Sequence, residues 1–112
     1  MNNGMRTSMN WIGRAVPTHD EFVQFNDEYK RLSLRRKALF RAAMHLMVDD
    51  LKGKRPFDPR LRIKGVRGAP GIWEMTWAPD GRATFNYGNA KIPGEAHIIW
   101  RRIGDHSILK QP

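Results

Sequence analysis

The chain has 112 residues and a formal net charge of +9, with 20 Lys and Arg against 11 Asp and Glu. That length holds one domain with one small hydrophobic core, and the 40% hydrophobic content argues against disorder. The absence of cysteine excludes a disulfide scaffold, a thiolate zinc site and a cysteine nucleophile together. No apolar run approaches the roughly 18–20 residues of a membrane span. The beginning of the chain lacks the apolar stretch and cleavage site of a secretory signal. The expected setting is the cytoplasm, with no membrane partner.

In chain order, residues 1–17 read as a flexible leader and 18–112 as a single domain. The leader is rich in Asn, Gly, Met and Ser and has no periodicity. Thr18-His19-Asp20-Glu21 has the pattern of a capping box and predicts a helix start at Thr18. Phe22, Phe25 and Tyr29 continue at helical spacing, to about Arg31. Ser33 predicts the cap of a second helix, with Leu39, Ala42, Ala43, Leu46 and Met47 as its apolar stripe and Gly53 as its end. The short joint between the two predicts a helical hairpin.

After Gly53 the punctuation changes. Eight of the ten glycines and five of the seven prolines fall between Gly53 and Gly104, which separates short strands. The predicted strands are 61–66, 72–77, 82–87 and 97–103, with a short one at 107–109. Pro79-Asp80-Gly81 forms the turn between the second and third. Helices first and strands later predict an α+β domain, a helical hairpin on one face of an antiparallel sheet of about four strands. Alternation puts Trp73, Met75, Trp77, Ala83, Phe85, Tyr87, Ile98 and Trp100 under the helices. The opposite face collects Glu74, Thr76, Arg82, Asn86, His97 and Arg101.

The charge is uneven. Between Lys30 and Arg67 stand thirteen cationic side chains and only three carboxylates, while the remainder nearly balances. Such a field attracts phosphate backbones or acidic proteins. The four histidines have no i, i+4 pair and no acidic cluster beside them, so no metal site and no cofactor is expected.

Three ordered stretches carry a resemblance. They are Val66-Arg67-Gly68-Ala69-Pro70-Gly71-Ile72-Trp73-Glu74, then Asp80-Gly81-Arg82-Ala83-Thr84-Phe85, then Trp100-Arg101-Arg102-Ile103-Gly104-Asp105-His106-Ser107-Ile108-Leu109. With the helix pair before them, they resemble the RelE superfamily of type II toxin–antitoxin toxins. The C-terminal stretch is most similar to the YafQ branch. The resemblance covers about residues 20–109 and implies a helical hairpin on a twisted antiparallel sheet. It implies a metal-independent, ribosome-dependent messenger-RNA endoribonuclease that inhibits translation. The implied partners are an antitoxin with an acidic segment, forming a hetero-oligomer, and messenger RNA in the ribosomal A site.

Carried over by position, His106 matches the catalytic histidine of YafQ-like toxins. Arg82 matches an arginine that contacts the scissile phosphate, Arg67 matches an arginine of RelE, and Lys64 and Arg62 fall where relatives touch the RNA backbone. Arg101 lies on the polar face and joins that backbone grip. Two lysines of the RelE second strand are here Glu74 and Thr76. The chemistry needs a proton acceptor, a proton donor and a cation on the phosphoryl oxygens. His106 suits either proton step, Arg82 suits the charge, and Glu74 is a candidate base beside Arg82. Arg82 can alternatively cap the hairpin and pair with Asp80 or Glu74. A second reading keeps the fold without the nuclease: a ParE-like gyrase inhibitor, or a protein that only binds RNA or antitoxin.

Overall fold

The structure, a computed structural model, describes residues 5–7 and 17–112, the first three by their backbone alone. It is an α+β fold with two helices on one face of a mixed sheet. Strands β1 (Met5–Thr7) and β2 (Thr18–Phe22) precede helices α1 (Val23–Arg31) and α2 (Leu34–Lys52). Strands β3 (Lys64–Gly65), β4 (Trp73–Thr76), β5 (Gly81–Tyr87) and β6 (His97–Asp105) follow. Their order is β1-β2-β6-β5-β4-β3. The sheet is therefore wider than the four strands expected. It is also not wholly antiparallel, because β2 runs parallel to β6. The rest of the expected leader lies outside the described residues.

The capping-box expectation fails at Thr18. The segment Thr18–Glu21 pairs residue for residue with His97–Trp100, and this ladder satisfies backbone groups that a cap would have served. Tertiary pairing overrides a local helix signal. The helix starts at Val23 instead, with Phe22 before it providing no side-chain cap. The second helix follows its signals: the Ser33 hydroxyl accepts the Arg36 N–H at 3.1 Å, and Gly53 closes the last turn. Its buried stripe is displaced from the one expected. Phe40, Ala43, Met44, Met47 and Val48 are buried, while Leu39 and Ala42 remain exposed. The sheet takes the stripe that carries the large Phe40 ring.

That ring organises the core. Phe40 meets Trp100 edge-on at 5.3 Å, Phe25 at 5.8 Å and Trp77 at 6.3 Å between centroids. Edge-to-face packing at these separations is the favoured aromatic geometry. From the sheet come Met75, Ala83, Phe85, Ile98 and Ile103. Trp73 and Tyr87, expected in this layer, lie toward its end and are 37% and 43% exposed. Gly81 starts β5 because a Cβ there would lie 2.7 Å from the Trp77 ring.

Two features of β6 depart from simple alternation. Thr84 pairs with Arg102 and Phe85 with Trp100, so Arg101 is an extra residue. This bulge lets Ile103 return to the core after Trp100. Beyond Trp100, β2 no longer flanks β6. Glu28 of α1 takes its place, accepting from the Ile103 N–H at 3.2 Å and from the Arg102 guanidinium. The other strand expectations shift as well. Residues 61–66 form a 3-10 turn (Pro59–Leu61) and the two-residue β3, and 107–109 belong to a 3-10 helix, His106–Lys110.

Phe40→Ala should cost about 3–5 kcal/mol of stability, read from urea unfolding of the whole chain. A loss below about 1 kcal/mol would show that the aromatic cluster does not hold the helices to the sheet.

Candidate functional site

Two open grooves flank the segment from Arg60 to Arg67. The first, about 540 Å³, is lined by Lys64, Val66, Arg67, Glu74, His106 and Leu109. This size falls within the roughly 300–1,000 Å³ of ligand sites. The second, about 420 Å³, lies between α2 and the β4–β5 hairpin and includes Arg60, Arg62, Thr76 and Arg82.

The register explains the first groove. Lys64, Glu74 and Thr84 are direct cross-strand partners on β3, β4 and β5, so their side chains share one face. The turn after β3 supplies Arg67, helped by Gly68 and Gly71 with φ of 80° and 81°, backbone that glycine adopts without strain. At the end of β6 the Asp105 carboxylate accepts from the Ser107 N–H at 2.8 Å and from the Ser107 hydroxyl. That cap starts the 3-10 helix at His106 and sets where its imidazole stands. Ile108 anchors the helix by packing on Gly104. His106, Lys64 and Arg67 are exposed, whereas Glu74 is buried. The arrangement offers a titratable ring, a carboxylate and two cations to an anionic ligand.

Arg82 sits next door. Its Nη1 donates to the Gly81 carbonyl at 3.0 Å and the Pro79 carbonyl at 3.3 Å, so it braces the hairpin turn. Its Nε stands 4.0 Å from Glu74 Oε1. Glu74 thus links the two grooves. Arg62 lines the second groove with left-handed backbone, φ 48°, an uncommon state for a non-glycine residue. It follows a 3-10 turn capped by Asp58. Hydrogen bonding from Arg60 lowers the Asp58 carboxyl to about 2.

Arg101 joins neither groove. Its Nη1 donates to Asn86 Oδ1 at 3.1 Å, and its guanidinium covers the Phe22 ring at 4.8 Å. Burial lowers its pKa. His97 is buried between strands, 2.6 Å from the Thr18 hydroxyl and 2.8 Å from Asp20 Oδ2. A carboxylate can only accept, so Nε2 carries the proton; in the neutral ring Nδ1 accepts from Thr18. This chain of bonds ties β2 to β6. Among the described residues no group of three His, Asp or Glu stands close enough to hold a metal ion, and no helix is long and apolar enough to cross a membrane.

No family model and no curated protein matches the chain. Solved structures do. The E. coli DinJ-YafQ toxin–antitoxin complex contains a chain that superimposes with a TM-score of 0.62 at 15% identity, over 81% of this chain and 93% of that one. YafQ from E. coli strain BL21(DE3) gives 0.62 at 14% identity, over 81% and 94%. A copper-bound mutant toxin from Helicobacter pylori gives 0.57 at 18% identity, over 80% and 93%. The chain has the RelE/YafQ-like toxin fold. Within that fold, the first groove lies beside the short β3 and the end of β6, and the second between α2 and the β4–β5 hairpin.

The Asp105 cap was legible as an Asp-x-Ser spacing, but the reading of 107–109 as a strand hid it. Val66 and Leu109, the apolar lining, carried no signal apart from the fold. The Ser107 hydrogen bonds hold the Asp105 carboxyl below its ordinary 3.8, with smaller contributions from Arg36 and His106. A carboxyl depressed in the folded state stabilises it above the unfolded value and loses that effect as pH falls through the folded value. NMR titration should therefore give Asp105 a midpoint below 3.8, and Ser107→Ala should raise it toward that value. An unchanged midpoint in Ser107→Ala would remove the cap as the cause.

Proposed function

We propose that this protein is the toxin of a type II toxin–antitoxin pair and a metal-independent endoribonuclease that cuts messenger RNA on the ribosome. The observation that supports it best is the shared groove of His106, Glu74, Lys64 and Arg67. Four residues from three separate parts of the chain are brought to one concave surface in a fold shared with YafQ structures.

The 2′-hydroxyl of the substrate attacks the adjacent phosphate, a pentavalent phosphorus forms, and the 5′-oxygen leaves with a proton. His106 is exposed at the groove and serves one proton step. Glu74, desolvated below it, serves the other or orients the ring. Lys64 and Arg67 draw the RNA backbone in and offset charge on the phosphoryl oxygens. Arg82 acts behind Glu74: its Nη1 is committed to the hairpin carbonyls, and its positive charge lies on the Glu74 carboxylate. Arg62 and Arg101 stand outside this groove, so this mechanism gives them no catalytic part. The partner that silences the toxin is an antitoxin with an acidic segment, as DinJ pairs with YafQ in the E. coli complex.

His106→Ala should lower cleavage of a translated messenger RNA on purified ribosomes by about 100-fold or more, the usual worth of a positioned proton-transfer group. Lys64→Ala should weaken RNA binding and make it less sensitive to salt. Far-ultraviolet circular dichroism should remain unchanged for both exposed positions. Full activity in folded His106→Ala would end this assignment. Intact messenger RNA together with damaged DNA in arrested cells would favour a gyrase-directed toxin instead.

A further inference from the structure

The two-residue strand β3 forms one edge of the sheet, and its Gly65 has no local reason to be glycine. Its backbone is not left-handed, unlike that of Gly68 and Gly71, and it pairs with Trp73 in regular register. A Cβ at Gly65 would meet no atom within 4 Å beyond its chain neighbours, so close packing does not demand glycine either. A strand glycine that serves neither a bulge nor a tight contact commonly marks a place where a ligand comes close. The register puts an indole beside that bare backbone. Lys64 and Glu74 share the face of the first groove, while Gly65 and Trp73 share the opposite one. Trp73 is 37% exposed, whereas Trp77 and Trp100 are 5% and 3% exposed. Tyr87 holds Trp73 edge-on at 6.4 Å between centroids and meets the buried Phe85 at 5.8 Å. The exposed indole is thus tied to the core through Tyr87, and the space over Gly65 next to it is open.

We propose that Trp73 stacks on one base of a single-stranded RNA whose backbone lies in the first groove, and that this base rests over Gly65. Gly65 itself lines that groove together with Lys64 and Arg67, so only the thin edge strand separates the groove from the indole. The two cations flank Gly65 in the chain and hold the RNA backbone where it crosses the edge. Every base has a π face, and an indole fixed at its base is a platform for it. An apolar protein surface would need a wider patch than two half-exposed rings, and the cations beside them favour a ligand that carries phosphates. The subsite rests on the reading of the first groove as an RNA site, but the stacking itself needs no cleavage.

The probes are labelled single-stranded RNA oligonucleotides titrated into the full chain by fluorescence anisotropy, one complete and the others with a single abasic ribose placed at successive positions. At one position the missing base should weaken binding to the wild type about tenfold. Trp73→Ala should weaken the complete RNA by a similar factor and bind it no better than the RNA abasic at that position, whereas Trp73→Phe should keep most of the difference. Gly65→Val fills the open space with a residue that suits a strand; it should erase the difference with the circular dichroism unchanged, and it decides the matter alone if Trp73→Ala does not fold. The same abasic penalty at every position in the wild type and in the folded variants would overturn the stacking. So would a wild type for which no base matters. If the stacking is found while no RNA is ever cut, it stands and the nuclease reading falls. If His106-dependent cleavage is found while no base responds to Trp73, the stacking alone falls. Absence of any RNA binding would end both.

Discussion

Strand β6 is the constraint on which the rest depends. It is paired on both sides, in parallel with β2 and antiparallel with β5. Its inward residues Ile98, Trp100 and Ile103 are buried against the aromatic cluster of the two helices. The bulge at Arg101 keeps Ile103 in that cluster despite the extra residue. The strand's direction and length are therefore set by burial and by two ladders at once. Its end delivers Asp105 and His106 to the sheet surface beside β3 and β4. The proposed chemistry needs groups held to within a fraction of an ångström, and this strand is the rigid element that holds one of them.

Glu74 is the second organising residue. It stands between Lys64 and Thr84 in register, contributes to the groove with His106, and lies 4.0 Å from Arg82 in the neighbouring groove. A buried carboxylate needs nearby positive charge or hydrogen bonds. Arg82 provides the charge while braced by the hairpin turn, which it also stabilises. The structural and the phosphate-binding readings of Arg82 are thus connected: the hairpin contacts that fix the guanidinium also remove it from direct contact with a ligand in the first groove.

Much of this was legible in the sequence. Ser33 and Gly53 bounded α2, the Pro79-Asp80-Gly81 turn marked the hairpin, and the helices-then-strands order implied the α+β class. The failures share one cause. Thr18–Glu21 reads locally as a cap, yet its partner strand lies almost eighty residues further along the chain, and His97 bonds to Thr18 and donates to Asp20 over separations of 79 and 77 residues. Long-range pairing leaves no local trace. For the same reason Arg62, Arg82 and Arg101 looked equivalent to Lys64 and Arg67 as cations, while the fold divides them among three surroundings. Net charge pointed only to an anionic partner; register and turn geometry separated the groove with His106 from the groove beside α2.

The central claim is that the groove of His106 and Glu74 directs a 2′-hydroxyl onto its neighbouring phosphate. The most direct measurement uses two messenger RNAs that differ by a single 2′-deoxy nucleotide at the mapped cleavage position. The account predicts that the all-ribose RNA is cut to a 2′,3′-cyclic phosphate and a 5′-hydroxyl, and that the 2′-deoxy RNA is bound but left intact. Equal cutting of the two RNAs, or fragments ending in a 3′-hydroxyl and a 5′-phosphate, would contradict it.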